Sequence, residues 1–107
     1  MSREFEFGVS LLKKIYKELQ ILCKLEDKHS VKELVQTIIN PIVASAYQIK
    51  VGEGPQKDRL LKVLFALIKE LRELQNLEEI RARALELTQI LDTLEAEASL
   101  KGESAQQ

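Results

Sequence analysis

The sequence predicts an all-α fold: an antiparallel four-helix bundle made of two helical hairpins and associating as a homodimer. Three observations favour this fold. Apolar residues recur at spacings of three and four along most of the 107 residues, and only four glycines and two prolines interrupt them. An apolar pattern that starts at Leu11 also reappears 49 positions later, starting at Leu60. Two such hairpins, each with an apolar face it cannot bury alone, would cover each other.

The repeat between the two halves has two interpretations. An offset of 49 is a multiple of seven, so two amphipathic helices in the same heptad phase would align their apolar residues even without a common origin. An internal duplication and a coincidence of phase are both open, and the helical prediction needs neither. The aligned pairs include Lys13 with Lys62, Ile15 with Leu64, Tyr16 with Phe65, Leu19 with Ile68, Leu22 with Leu71, Asp27 with Asn76, Val31 with Ile80, Ile38 with Leu87 and Ile42 with Leu91.

The first hairpin is predicted to contain helices over about 3–25 and 31–50. The first ends in the polar residues 26–29, after which Ser30 and Glu33 have the spacing of a capping box that starts the second. Pro41 lies in the middle of the second helix and removes one backbone hydrogen bond. A kink near Ile39 and Asn40 is therefore expected. Val43 is placed on the buried side of this helix.

The third helix is predicted over about 55–74. Gly52 is expected to close the preceding helix in the left-handed conformation, and Pro55 suits a first helical turn. This helix is apolar on so much of its circumference that a single bundle would leave part of it uncovered, which favours a subunit interface. The predicted interface residues are Val63, Leu64, Phe65, Leu67 and Ile68.

The fourth helix is predicted over about 77–99, followed by a flexible polar tail over 101–107. Its apolar stripe resumes at Leu77, one residue out of register with the stripe before Leu74, and Asn76 with Glu79 resembles a helix start. A tight break near Gln75 and Asn76 is therefore predicted. The alternative is one continuous helix of a dimer-forming type over 55–99.

Charge is balanced overall but unevenly distributed. The formal net charge of −1 argues against a dedicated nucleic-acid-binding protein. The third helix is nevertheless basic and the fourth is acidic, which predicts either solvated helix faces or a surface that contacts a polyanion within a larger complex. The candidate polyanion contacts are Lys57, Arg59, Lys62, Lys69 and Arg72.

No residue stands out as catalytic, cofactor-binding or metal-binding. Cys23 and His29 are the only residues of their types, so a catalytic site would have to gather them with Tyr16. The longest apolar run, Val63–Ile68, is far shorter than the roughly 20 residues of a membrane span, and the N-terminus is acidic. We therefore expect a cytoplasmic, non-enzymatic interaction module: a self-associating adaptor, chaperone or accessory subunit with a possible protein partner. The alternative is an accessory subunit that contacts nucleic acid through the third helix.

Overall fold

The computed structural model describes the backbone of residues 1–106 and the side chains of residues 1–100. The described backbone is all-helical, as predicted, and contains no strand. The side chains of the predicted tail, 101–107, lie outside the described residues, although the helical backbone continues to Gln106. The helices are α1 (Arg3–Lys14), α2 (Tyr16–Leu22), α3 (Lys28–Val51), α4 (Lys57–Glu73) and α5 (Leu77–Gln106).

The helices pack around one apolar core. α3 packs against α1 on one side and α4 on the other, while α5 packs against α4 and α2. Most of the aligned apolar pairs of the two halves, such as Leu22 with Leu71 and Ile38 with Leu87, are buried at both positions, whereas Tyr16 with Phe65 is not. Burial of this kind supplies most of the stability of amphipathic helices, since isolated helices of these lengths are marginal in water.

The predicted first helix is interrupted. Ile15, with φ −106° and ψ 17°, separates α1 from α2, and its N–H donates to the Leu12 carbonyl oxygen at 3.2 Å. A single helix over 3–25 is therefore wrong, and α2 ends at Leu22. Because Ile15 is itself buried, the local break does not remove an apolar side chain from the core.

α3 begins earlier than predicted. Asp27 is its N-cap, and the Asp27 carboxylate accepts a hydrogen bond from the Ser30 N–H at 2.7 Å. The predicted capping box is therefore wrong: Ser30 lies inside the first turn, and Glu33 pairs with His29 at 3.2 Å. α3 also continues through Pro41, so the proline does not end the helix.

The loop between α3 and α4 depends on close packing. Gly52 has φ −99° and ψ −172°, so the predicted left-handed glycine is wrong, and the left-handed residue is Gln56 at φ 64°. A Cβ at Gly52 would lie 2.6 Å from the Phe5 nitrogen, and one at Gly54 would collide with the Phe5 ring. These glycines let the N-terminus pack against the loop. α4 then starts at Lys57 rather than Pro55.

The break between the last two helices is where it was predicted. α4 ends at Glu73, Leu74 takes a left-handed conformation with φ 50°, and α5 begins at Leu77. The Asn76 side chain accepts a hydrogen bond from the Glu79 N–H at 3.1 Å, as expected of an N-cap. One continuous helix over 55–99 is therefore excluded.

Candidate functional site

Four of the five predicted interface residues lie inside the molecule. Val63 and Ile68 are 3% and 8% exposed, and Leu64 and Leu67 are fully buried by the neighbouring helices. Their burial within a single chain removes the apolar excess on which the predicted interface rested. Only Phe65, which is 50% exposed, remains available to a partner in this segment.

The exposed Phe65 lies in a shallow groove between α3 and α4. Val43 and Tyr47 of α3 are also exposed, by 37% and 62%. The groove has a volume of about 260 Å³, below the roughly 300–1,000 Å³ typical of small-molecule sites, so it suits a protruding side chain better than an enclosed ligand. We call this groove the open seam. It is lined by Val43, Ala46, Tyr47, Lys50, Phe65, Ile68 and Arg72.

Cations surround the open seam. Lys62 and Lys69 are exposed on α4, one turn before and one turn after Phe65, while Lys50 and Arg72 line the groove itself. None of these four takes part in an ion pair among residues 1–100. The ion pairs there join Lys13 to Glu95, His29 to Glu33, Lys57 to Glu53, and Arg83 to Glu79 and Glu86.

The predicted polyanion contacts are therefore only partly available. Arg59, Lys62, Lys69 and Arg72 are exposed, whereas the Lys57 side chain pairs with Glu53 at 3.1 Å and is partly buried. Lys62, Lys69 and Arg72 lie on the side of α4 that also presents Phe65, whereas Arg59 lies beside the loop that precedes α4. The surface thus combines positive charge with an apolar centre.

A second seam, between the first two helices and α5, has a surface cavity of about 340 Å³ and is bridged by polar contacts. The Tyr16 hydroxyl donates a hydrogen bond to the Asp92 carboxylate at 2.6 Å, and the Lys13 ammonium pairs with Glu95 at 2.6 Å. The hydrogen bond to Asp92 raises the pKa of the Tyr16 hydroxyl. We call this region the closed seam. It is lined by Lys13, Tyr16, Leu91, Asp92 and Glu95.

The residues considered for catalysis have separate environments. His29 is largely exposed and pairs with Glu33, while Tyr16 is engaged with Asp92. Burial raises the pKa of the Cys23 thiol, which disfavours the reactive thiolate. The cavity that Tyr16 lines includes neither Cys23 nor His29. Within the part of the chain that the structure describes, no group of three or more His, Cys, Asp and Glu residues could hold a metal ion.

Comparison of the chain with protein-family models, with curated proteins and with solved structures found no match. In the described part of the chain, none of the helices combines the length and the apolar character that crossing a bilayer would require.

Sequence reasoning missed the α3 side of the open seam. The sequence analysis placed Val43 on the buried side of its helix, yet its side chain is 37% exposed and lines the groove. Tyr47, one turn after Val43, was not selected. The signal that could have identified them is their own spacing, since an apolar residue and an aromatic residue at i and i+4 form a second stripe beside the core stripe of α3.

Proposed function

We propose that the chain is a non-enzymatic protein–protein interaction module that binds its partner through the open seam. The observation that carries the proposal is the exposure of Phe65 beside Tyr47 and Val43, on two adjacent helices, with cations around them that form no ion pair among residues 1–100. Aromatic residues surrounded by a polar rim are typical of the centre of an interface. A contiguous apolar patch on a small domain of this kind marks a surface that another molecule covers.

The architecture that presents this seam is, in our proposal, an antiparallel four-helix bundle. Its support is the order of packing, in which α1 and α2 together form one side, α4 forms the opposite side, and both contact α3 and α5. In such a bundle the groove between two neighbouring helices is a natural place for a further helix. The bundle therefore supplies a rigid platform for the seam.

A homodimer is a second candidate for the same surface. A second copy could cover Phe65 and Tyr47, which would account for their exposure in the single chain. A twofold interface would, however, bring Lys62 and Lys69 of one copy close to the same residues of the other. Like-charge repulsion should therefore make such a dimer stronger as salt concentration rises. The solution mass, measured by light scattering during size-exclusion chromatography at low and high salt, tests this candidate.

Contact with nucleic acid is a third candidate, favoured by the four exposed cations of α4, Arg59, Lys62, Lys69 and Arg72. Phosphate contacts would make the affinity fall steeply with salt concentration. The apolar floor of the seam would have no role in such a complex. Substituting Phe65 by Ala should then leave binding nearly unchanged, whereas it should strongly weaken a protein complex.

Site-specific photo-crosslinking tests the proposed function. A benzophenone amino acid would replace Phe65 in one variant and Leu85 of α5 in a control, because both side chains are 50% exposed and only Phe65 lies in the seam. Irradiation in cells of the source organism should give a discrete protein adduct at position 65 that is absent at position 85. An adduct of twice the chain mass identifies the homodimer. The same adducts at both positions, or none at either, would contradict the proposal.

A further inference from the structure

We infer that the occupant of the open seam is an acidic amphipathic helix of another protein, whose carboxylates take the place of two acids that this seam lacks. The inference rests on the proposed function and names the chemistry of the partner. The open and closed seams contain aligned positions of the two halves of the chain.

The alignment at an offset of 49 residues relates the two seams. It places Lys62 and Phe65 of α4 on Lys13 and Tyr16, and it places Val43 and Ala46 of α3 on Asp92 and Glu95. Three of these four aligned pairs line both cavities: Phe65 with Tyr16, Val43 with Asp92, and Ala46 with Glu95. Lys62 lies one turn before Phe65 on the surface of α4. This comparison holds whether the repeat arose by duplication or by heptad phase.

The difference between the seams is the presence of carboxylates. In the closed seam, Asp92 accepts the Tyr16 hydroxyl and Glu95 pairs with Lys13. In the open seam the corresponding positions of α3 are apolar, so neither Lys62 nor Phe65 has a carboxylate across the seam. Among residues 1–100, Lys62 takes part in no ion pair. The open seam therefore has a cation and an aromatic ring at the aligned positions but lacks the two acids that bridge its counterpart.

An acidic amphipathic helix matches both properties of the open seam. Its apolar residues at i, i+4 and i+7 would pack between Tyr47 and Phe65, and its flanking glutamates would approach Lys62, Lys69 and Arg72. The α3 side of the seam, from Val43 to Lys50, is about 10 Å long at 1.5 Å per residue, enough for about two turns of a partner helix. Exposed ion pairs contribute little individually, so the charges would chiefly select the partner and accelerate its association.

The other occupants fit less well. A second copy would bring its own cations to the seam, and a nucleic acid would leave the apolar floor uncovered. The acidic helix is the occupant that satisfies the apolar floor and the cationic rim together.

A displayed library of helical peptides tests the inference directly. The library fixes leucines at i, i+4 and i+7 and varies the flanking positions among Glu, Gln and Lys, so that the protein selects the charge. Selection on the intact chain should enrich Glu at the flanks. For the selected peptides, a Lys62→Glu and Lys69→Glu double variant should bind about tenfold more weakly.

The matched control is a Lys14→Glu and Lys17→Glu double variant. It carries the same change in net charge at exposed positions of α1 and α2, away from the seam. Its affinity for the selected peptides should stay within about twofold of the unmodified chain. Circular dichroism spectra would verify that both double variants remain helical.

Several outcomes would overturn the inference. These are enrichment of Lys or Gln, failure to select any binder, equal loss of binding in the two double variants, and binding that survives Phe65→Ala. If photo-crosslinking still gives an adduct specific to position 65, the proposed function stands and only the acidic helix is rejected. If that adduct is also absent, both proposals fail.

Discussion

The open and closed seams occupy matching places in the two halves of the chain but have opposite surfaces. Tyr16 is held by Asp92 in the closed seam, whereas Phe65, the aligned residue, is half exposed in the open seam. The core beneath them follows one pattern, since aligned positions such as Leu22 and Leu71 are buried alike. The comparison shows that similar core patterns can carry different surface residues, which bridge one seam with polar contacts and leave the other with exposed apolar side chains.

The largest expected effect tests whether the two halves form one cooperative core. Leu22→Ala and Leu71→Ala each remove an almost fully buried side chain and should each lower the free energy of unfolding by about 2–5 kcal/mol. Chemical denaturation monitored by circular dichroism measures both. Each variant should keep a single transition with an unchanged slope. Two separate transitions would show that the hairpins unfold independently and do not share one cooperative core.

The sequence predicted the aligned core and one of the two helix caps correctly. Apolar spacing identified the buried positions, and the shift in register at Leu77 identified the break before it, because both patterns follow directly from 3.6 residues per turn. It could not identify the break at Ile15. That residue is neither glycine nor proline and belongs to the core pattern, so its non-helical conformation is imposed by the packing of its neighbours.

The two caps provide the second test. Asn76→Ala removes the side-chain acceptor for the Glu79 N–H at the start of α5 and should cost about 1 kcal/mol of unfolding free energy. Asn76→Asp should retain most of the stability, since its carboxylate can accept the same hydrogen bond. Thermal unfolding of both variants measures the difference. Equal loss in both would mean that the side-chain hydrogen bond at Asn76 does not stabilise α5.

Asp27, the N-cap of α3, aligns with Asn76 and should make the stability of the protein depend on pH. Hydrogen bonds from the Ser30 hydroxyl and backbone N–H lower the pKa of Asp27 below its ordinary value of 3.8. A carboxyl whose pKa is lower in the folded state stabilises the protein above its ordinary pKa, and this stabilisation is lost as pH falls through the folded value. The stability difference between the unmodified chain and Asp27→Asn should therefore shrink below about pH 4. A difference that is constant from pH 7 to pH 2.5 would contradict this role.

Capping also shows where reading the sequence was insufficient. Ser30 and Glu33 satisfied the spacing of a capping box, but Asp27 is also a good N-cap and starts α3 one turn earlier. Gly52 and Gly54 suggested a left-handed turn, whereas the structure uses them to admit Phe5. In both cases the local pattern was compatible with more than one structure. For the glycines, the contact with the distant Phe5 decides which structure forms.

The third test exchanges the aromatic residues of the two seams. Tyr16→Phe removes the hydrogen bond to Asp92 and should cost about 0.5–1 kcal/mol of unfolding free energy, while Phe65→Tyr should change it by less than about 0.5 kcal/mol. The raised pKa of Tyr16 means that its contribution is complete below its ordinary pKa of 10.0 and is lost as pH rises through the folded value. Denaturation at pH 7 and pH 11 measures both effects. Equal costs at the two positions would show that the closed seam is not held by its polar contacts.

The last test introduces into the open seam the polar contact that bridges the closed seam, and it should change stability only slightly. A Val43→Asp and Phe65→Tyr double variant places in the open seam the acid and hydroxyl that join Asp92 to Tyr16 in the closed one. Both positions are exposed, so the free energy of unfolding should change by less than about 1 kcal/mol. The introduced carboxylate would also lie in the groove that Arg72 lines, where it would compete with the glutamates of a partner.

The main effect of this double variant should be on peptide binding rather than on stability. Peptides selected on the unmodified chain should lose at least about tenfold in affinity for this double variant, because the new hydrogen bond holds the ring and the new carboxylate repels an acidic helix. Val43→Asn with Phe65→Tyr is the matched control, since it offers a hydrogen bond without the negative charge and should weaken binding less. Fluorescence anisotropy of a labelled peptide separates the two variants. Equal affinity for the double variant and the unmodified chain would show that the missing carboxylate has no bearing on what the open seam binds.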